Sequence, residues 1–515
     1  VALRPVARTR WRAHALRIGI ALAVLLSIPV VRLVFAGTSN FQNGNFGTNT
    51  YGGTGDDGIV GANSTVVTGW TVAAGGSIDL VGTGVWAASP GNTSNYSIDL
   101  DGTNPGTLSQ TFATTAGQTY TLKFDLSANP YGTVTNKLLV TVGSASQAYT
   151  VSPTGKSAAN MGYVTQSLNF TATAASTTLT FASQDANNSS TGPVIDNVHI
   201  LTTISGTVFE DINYGGGAGR NQATALAAGG SGRSGARVEL YSSTGNFLSS
   251  TTSGTGGAYS FTVDIGNTYT VRVVDSTVPS GRASATTALI GVQTYRTNAS
   301  GGTATAVADH VGGENPALVD AGSNTTNATL ASLTSATATP ESITTVAVGT
   351  AAIGGLDFGF NFDTIVNTAA SGQGSLAQWL ANADTFTDQA TLAQSGSRTL
   401  AGVTTPLPAG YETSIFMIAN GNAVGGLRAG LANQLTSGGF ARIAPSAGTL
   451  NLQQAYLALD GATQTANVGN TNSGSTGTGG TVGVSATALP QFDMPEVEVD
   501  LPNGNCICTL AAYDA

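Results

Sequence analysis

From Tyr120 to Leu126 large apolar residues take every second position, Tyr120, Leu122, Phe124 and Leu126, and Thr121, Lys123 and Asp125 take the positions between them. A helix cannot use that period; a strand with one buried face requires it. The pattern recurs at Ser77 to Val81, Ser97 to Leu100, Leu108 to Phe112, Leu138 to Val142, Leu168 to Thr173, Thr178 to Phe181 and Val194 to Ile200, with Gly- and Asn-rich turns between. Composition agrees: only 9% of residues are charged and 68 are Gly, while Thr and Val favour pleated surfaces. The expectation is an all-β protein, and 515 residues allow several domains.

Residues 1–36 read as a signal peptide. Arg4, Arg8, Arg10, Arg12 and Arg17 precede an apolar run from Ile18 to Val31, and Val34-Phe35-Ala36 offers small residues for cleavage before Gly37. At about 14 positions the run is short for a membrane span, which needs roughly 20. Six of the 18 basic residues and none of the 28 acidic ones lie before Gly37, leaving 12 against 28, a net −16. Nucleic acid is therefore not an expected partner. Cys506 and Cys508 are too close in sequence to close a stabilising loop and too few for a zinc site.

Residues 37–201 read as a sandwich of about eight short strands, a jelly roll. The runs Asn43-Gly44-Asn45-Phe46, Gly69-Trp70, Ser97-Ile98-Asp99-Leu100-Asp101-Gly102, Leu108-Ser109-Gln110-Thr111-Phe112 and Gly192-Pro193-Val194-Ile195-Asp196-Asn197-Val198 resemble the choice-of-anchor C family. That resemblance implies kinship with plant cell-wall domains of unknown function and galactose-binding-like jelly rolls, an extracellular setting and polysaccharide as partner. Residues 202–365 read as a small Ig-like sandwich with a Thr-, Ala- and Gly-rich extension. Ile204-Ser205-Gly206-Thr207-Val208-Phe209-Glu210-Asp211, Gly257-Ala258-Tyr259-Ser260-Phe261 and Tyr269-Thr270-Val271-Arg272-Val273 resemble the SdrD B-like repeat of bacterial surface proteins, a rigid stalk.

In residues 366–515, Ser375 precedes apolar residues at helical spacing from Leu376, so a short capped helix is expected. Glu412 to Ile418, Ala441 to Ile443 and Ala455 to Thr463 read as strands. Leu459-Asp460-Gly461-Ala462-Thr463-Gln464 resembles an early rung of right-handed β-helix surface proteins, in which such a helix caps the open end. The expectation is an incomplete, truncated parallel β-helix.

No catalytic set is legible. His199 and His310 stand alone, without metal spacing or a nucleophile motif, and the acidic pairs Asp56-Asp57, Asp99 with Asp101, and Glu210-Asp211 fit strand ends and turns. The chain reads as non-enzymatic, the rival being a fragment of a β-helix polysaccharide-degrading enzyme. Calcium is the one cofactor to weigh. Glu210, Asp211 and Asn213 match the start of the B-type calcium motif, which then departs into a Gly-rich stretch ending at Arg220. Asp196 stands where related carbohydrate modules hold a structural calcium, although Gly47 replaces its usual acidic companion. For sugar, aromatic faces and amides are expected. The candidates are Trp86, Tyr96 and Tyr131 with Asn92 and Asn95, whereas Trp70 reads as core. Trp86 serves either as a loop-borne platform, in which case Trp86→Ala abolishes glycan retention without unfolding, or as packing. The functional expectation is a secreted bacterial surface or matrix protein, adhesive or structural, its jelly roll binding cell-wall glycan or other polysaccharide; a ligand-free stalk is the second rival.

Overall fold

A computed structural model describes residues 40–51, 57–92, 94–186, 190–386, 392–394, 397–400, 403–406, 410–446, 457–477, 479–489, 491–500 and 506–507. The segment read as a signal peptide, Asp56 and Cys508 lie outside them. The fold is nearly all β, and among the described residues no helix is long and apolar enough to cross a membrane.

Eleven strands build the first unit: β1 (Asp57–Val60), β2 (Thr71–Val72), β3 (Ile78–Gly82), β4 (Tyr96–Asp99), β5 (Thr107–Ala113), β6 (Thr119–Ala128), β7 (Asn136–Val142), β8 (Ala145–Val151), β9 (Val164–Thr171), β10 (Ser176–Ser183) and β11 (Pro193–Glu210). One sheet runs β1-β3-β4-β11-β6-β9 and the other β2-β5-β10-β7-β8, antiparallel throughout. The alternating residues of β6 point into the core between the sheets as expected, and Trp70, 1% exposed, packs there against Phe41, Phe46 and Phe181. This is a jelly-roll sandwich.

β11 is eighteen residues long and does not stop at the division placed between Leu201 and Thr202. Its first half pairs with β4 and β6; its second half pairs with Ala258–Asp264 and Phe358–Asn361 of the second unit. A strand shared by two sandwiches leaves no linker for a hinge to use. Ile265 of the second unit is also part of the jelly-roll core.

Facing this shared sheet, Arg237–Ser242, Phe247–Thr252, Thr268–Val273 and Ser342–Ala347 form a four-stranded antiparallel sheet. The expected alternations of Val238 with Leu240 and of Tyr259, Phe261 and Val263 meet in its core. The other face of that sheet is not wet. The segment around Asp320 and Asn324 covers it, and Arg272, fully buried, bonds Glu239 at 2.9 Å and Asp320 at 3.0 Å.

The third unit is built of short parallel pairs: Thr364–Ile365 with Ile415–Phe416, Glu412–Thr413 with Leu457–Ala458, and Ala441–Ile443 with Val497–Val499. The helix Leu376–Ala383, its first turn capped by Ser375 Oγ accepting from the Gln378 N–H at 3.1 Å, buries Leu376, Trp379 and Leu380 against Ile365, Phe416, Ile443 and Val497. One expectation fails in part: of the strand read over Ala455 to Thr463, whose first two residues lie outside the described ones, Leu457–Ala458 is a strand, and Ala462–Val468 is a helix. Its start is locally polar, with Asp460 accepting from the Ala462 N–H at 3.0 Å and Thr463 Oγ1 donating to the Asp460 carbonyl. Gln464 on that helix bonds both the N–H and the carbonyl of Ile418, occupying with a side chain the place where a strand would pair.

Candidate functional site

A cleft of about 450 Å³ opens where the two sandwiches meet. Three pieces of chain shape it: the stretch Phe41 to Asn45, the residues Asn197 to Ile200 of β11, and the turn Asp264 to Asn267 of the second unit, with Gly91 and Asn92 at the rim.

Each piece is fixed by its sequence. Gly44 lies so close to β11 that a Cβ there would sit 1.8 Å from the Val198 carbonyl oxygen, and its own carbonyl accepts from the Val198 N–H at 2.9 Å. Only glycine fits that approach. Asn43 has φ +54° and spends its side chain on the backbone of Thr48 and Thr68. In β11 the pairing with β6 shifts register between Asp196 and His199, and Asn197 has φ +50°. This bulge changes the alternation, so that Ile195, Val198 and Ile200 enter the core while Asn197 and His199 line the cleft. The turn from the second unit is held by the Ile265 N–H donating to the Ile200 carbonyl at 3.1 Å.

The walls are polar. Gln42, Asn43, Asn45, Asn92, Asn197 and Asn267 contribute six amide residues, and His199 bonds Asp264 Oδ1 through Nδ1 at 2.9 Å. The floor is apolar where Val198, Ile200 and Ile265 reach it. Such a cleft can bond hydroxyl groups with amides and a carboxylate while covering a C–H face, and its volume lies in the lower range of small-molecule sites. Among the described residues that line it, no set is arranged as nucleophile and base.

Of the sequence candidates, only Asn92 reaches this cleft. Trp86 is not a platform: it is 4% exposed, packs against Val81, Met161 and Val194, and donates from Nε1 to Ser97 Oγ at 2.8 Å. The loop that carries it folds back onto the outer face of the β4-β11-β6 sheet. Of the two readings of Trp86 the packing one holds, so Trp86→Ala is expected to destabilise the unit and the milder Trp86→Phe to cost about 1–2 kcal/mol in chemical denaturation by removing that hydrogen bond and some packing. An unchanged unfolding midpoint for Trp86→Phe would restore a surface role. Tyr96 is partly buried against the jelly-roll core, and Asn95 is exposed with φ +66°, a turn position. Tyr131 is 65% exposed.

The metal candidates do not converge. Asp196 accepts from the Ser89 N–H, the Asn92 amide and the Asn197 N–H, and burial pushes its carboxyl up to about 6 in spite of these bonds. Glu210 accepts from Ser280 and Gly281 and lies beside Arg233 and Arg282. Asp211 is clasped by Arg220, the residue that ends the Gly-rich stretch, and Asn213 bonds the Ala228 carbonyl and the Ala393 N–H. Arginines and N–H donors occupy the positions where a cation would need open oxygens. Among the described residues no three His, Cys, Asp or Glu side chains are placed to hold a metal ion.

The family described as "Protein of unknown function (DUF642)" matches residues 39–201, the jelly roll, which is under half of the chain. No curated protein matches. Solved structures similar to the chain include a CBM4 module (14% identity, TM-score 0.18, covering 31% of this chain and 97% of that one). Another is the native family 35 carbohydrate binding module from Clostridium thermocellum (12%, 0.19, 27% and 95%), and a third is TmCBM61 in complex with β-1,4-galactotriose (15%, 0.18, 32% and 97%). At TM-scores this low these likenesses carry no weight for function.

Sequence reasoning missed His199, Asp264, Asn45 and Asn267. A signal was present for one of them, since an Asn in the β11 motif followed two residues later by a lone His marks a bulge with two polar groups on one side. The partner Asp264 comes from a turn 65 residues away and carries no local signature.

Proposed function

We propose that the chain is a non-enzymatic glycan-binding surface protein whose ligand, a neutral sugar unit of a polysaccharide, enters the cleft between the two sandwiches. The observation that carries this reading is the lining itself: Gln42, Asn45 and Asn267 and the Asp264 carboxylate, backed by Asn43, Asn92 and Asn197 that bond within the protein, over a small apolar floor in a concave site. On this reading the chain is exported, the jelly roll is of the choice-of-anchor C type, and the B-type unit holds it rigidly away from an anchoring region through the shared strand β11. Adhesion to a cell-wall or matrix glycan follows from that arrangement.

The test is affinity electrophoresis of the full chain through gels containing neutral galactans, xylans and glucans. Retardation is expected in at least one of them. Asn45→Ala is expected to weaken it about tenfold, the worth of one or two hydrogen bonds to hydroxyls. Tyr131 supports a second location, because it is a large exposed aromatic on the loop after β6. Loss on Tyr131→Ala with no change on Asn45→Ala would move the ligand there. Failure to be retarded by any polysaccharide would leave the stalk reading in its place.

A further inference from the structure

The hydrogen-bond chain across the cleft fixes the charge of its histidine. Asp125, 5% exposed on β6, accepts from the Asn197 side-chain N–H at 3.1 Å and also from the hydroxyls of Ser89 and Thr165. The nitrogen of the Asn197 amide must face that carboxylate, because the reverse orientation would set two acceptors against each other. The Asn197 carbonyl oxygen is thereby turned to His199 Nε2, 3.0 Å away, and can only accept. The other ring nitrogen, Nδ1, faces Asp264 Oδ1 at 2.9 Å, which also can only accept. Both ring nitrogens must donate. A neutral imidazole has one N–H, so this geometry requires the imidazolium.

The same histidine joins the two sandwiches. It lies on β11 in the jelly roll, and Asp264 begins the turn that closes the cleft from the second unit. The charged groups around it are Asp264 on that turn, Asp125 on β6, and Lys123, its partner in the β6 pairing. The Asp264 hydrogen bond raises the imidazole above its ordinary value, with help from the Asp264 and Asp125 charges, against the lowering by burial and Lys123.

We propose that His199 is a proton-operated clasp: as imidazolium it fixes the Asp264 side chain against the jelly roll and holds the cleft wall in its binding shape, and loss of its proton frees that side chain and loosens the Ile265–Asn267 turn behind it. The clasp regulates the site proposed above, but it acts without any ligand. On deprotonation one of the two N···O contacts becomes a meeting of lone pairs; the Asp264 backbone stays paired with Leu201 of β11, so the change falls on the Asp264 side chain and on the turn beyond it, which the single Ile265 N–H bond to the Ile200 carbonyl ties back to β11.

The experiment uses the full chain with its histidines labelled by ¹⁵N, assigned with His199→Gln, and no sugar. Expected is a His199 whose two ring nitrogens both carry protons at pH 7 and whose midpoint lies above that of free histidine, near 6.5. His310, which burial lowers, is the internal reference and is expected neutral at the same pH. Asp264→Asn is expected to bring the His199 midpoint down, while an unchanged His310 signal reports that the fold survives. Across the His199 midpoint the Ile265 amide is expected to lose hydrogen-exchange protection, and sugar affinity to fall about tenfold. A neutral His199 at pH 7, or a midpoint that Asp264→Asn leaves unmoved, overturns the clasp whatever the sugar result. A clasp that titrates as described in a protein that binds no sugar sustains the clasp and removes only the glycan reading.

Discussion

Arg282→Met is expected to cost about 3–5 kcal/mol in unfolding of the second and third units. The guanidinium is buried and lies among three carboxylates from three distant parts of the sequence. It bonds Asp363 at 2.9 Å and Glu412, and is 3.6 Å from Glu210 at the end of β11. Its carbon also sits 3.7 Å over the ring of Phe386. Burial opposes its charge, yet the coulombic attraction of Asp363, Glu412 and Glu210 and its bond to Asp363 hold it even more firmly protonated than a free arginine. Removing this cation leaves the carboxylates facing one another with only single donors such as Ser280, Gly281 and Gln394 to offset their charge, and replacing only one member of such a group destroys the compensation while retaining the desolvation. Lysine in its place keeps the charge but not the fork that reaches two carboxylates at once, so an intermediate loss is expected. Urea unfolding followed by hydrogen exchange of the Ile415 and Asp211 amides is the measurement. The deficit of Arg282→Met should shrink as the pH falls and Glu210 and Glu412, whose carboxyls burial raises, take up protons. A loss below about 1 kcal/mol at pH 7 would mean that the arginine is not what joins the units.

Arg282 also shows what a sequence withholds. The period of two in β6, the Ser375 cap and the apolar stripe of Leu376–Ala383 are local, and each was legible because one face of an element was enough to define it. Asp125 was not. It continues the polar face of β6 after Thr121 and Lys123, which are not buried, but the loop carrying Ser89 and the bulge carrying Asn197 bury it, and neither packing is written near position 125. Arg272 and Glu239 fail in the same way, since a covering segment from Asp320 to Asn324 turns an outer face into an inner one. Trp86 stays open between a surface ring and packing in the sequence because small residues surround it; small residues are also what lets a loop lie flat on a sheet and bury its one large side chain. The metal motif at Glu210, Asp211 and Asn213 could be read in outline, and the departure at Arg220 was its decisive residue, since that side chain now fills the place of a cation on Asp211. The cleft was the least legible feature, because it exists only where the turn at Asp264 meets the bulge of β11, and neither element holds a ligand by itself.

The protein is expected to be more stable in mild acid than in mild alkali, with the melting temperature falling on the order of 10 °C between pH 5 and pH 9. Glu341 is 1% exposed, and burial, with the charges of Asp275, Asp320 and Glu314, pushes its carboxyl up to about 9 in spite of a hydrogen bond from the Asn315 N–H. Because the folded value lies above the unfolded one, near 4.5, the folded state binds this proton more tightly. The stability it contributes is complete below about pH 4.5 and is lost progressively up to about pH 9, a window over which such a group is worth several kcal/mol. Asp196 acts in the same sense between its ordinary value of 3.8 and about 6, and Asp275, fully buried, is raised by burial and by Asp320. His199 adds to the trend, since a raised imidazole stabilises below its unfolded value and loses that contribution as the pH climbs through the folded one. Glu239 opposes it. Its bonds to Arg237, Tyr241 and Asn324 outweigh its burial and hold it below the usual range, so its contribution is lost only when the pH falls beneath about 4.5. The two tendencies place the maximum near pH 5. Glu341→Gln keeps an oxygen for the Asn315 N–H and removes the charge, so it is expected to flatten the alkaline side of the curve and to raise stability at pH 9 while leaving pH 5 nearly unchanged. Calorimetry from pH 4 to pH 9 on both proteins decides it. Stability that rises steadily from pH 5 to pH 9 in the parent chain would show these carboxylates to be ionised and compensated in the folded state.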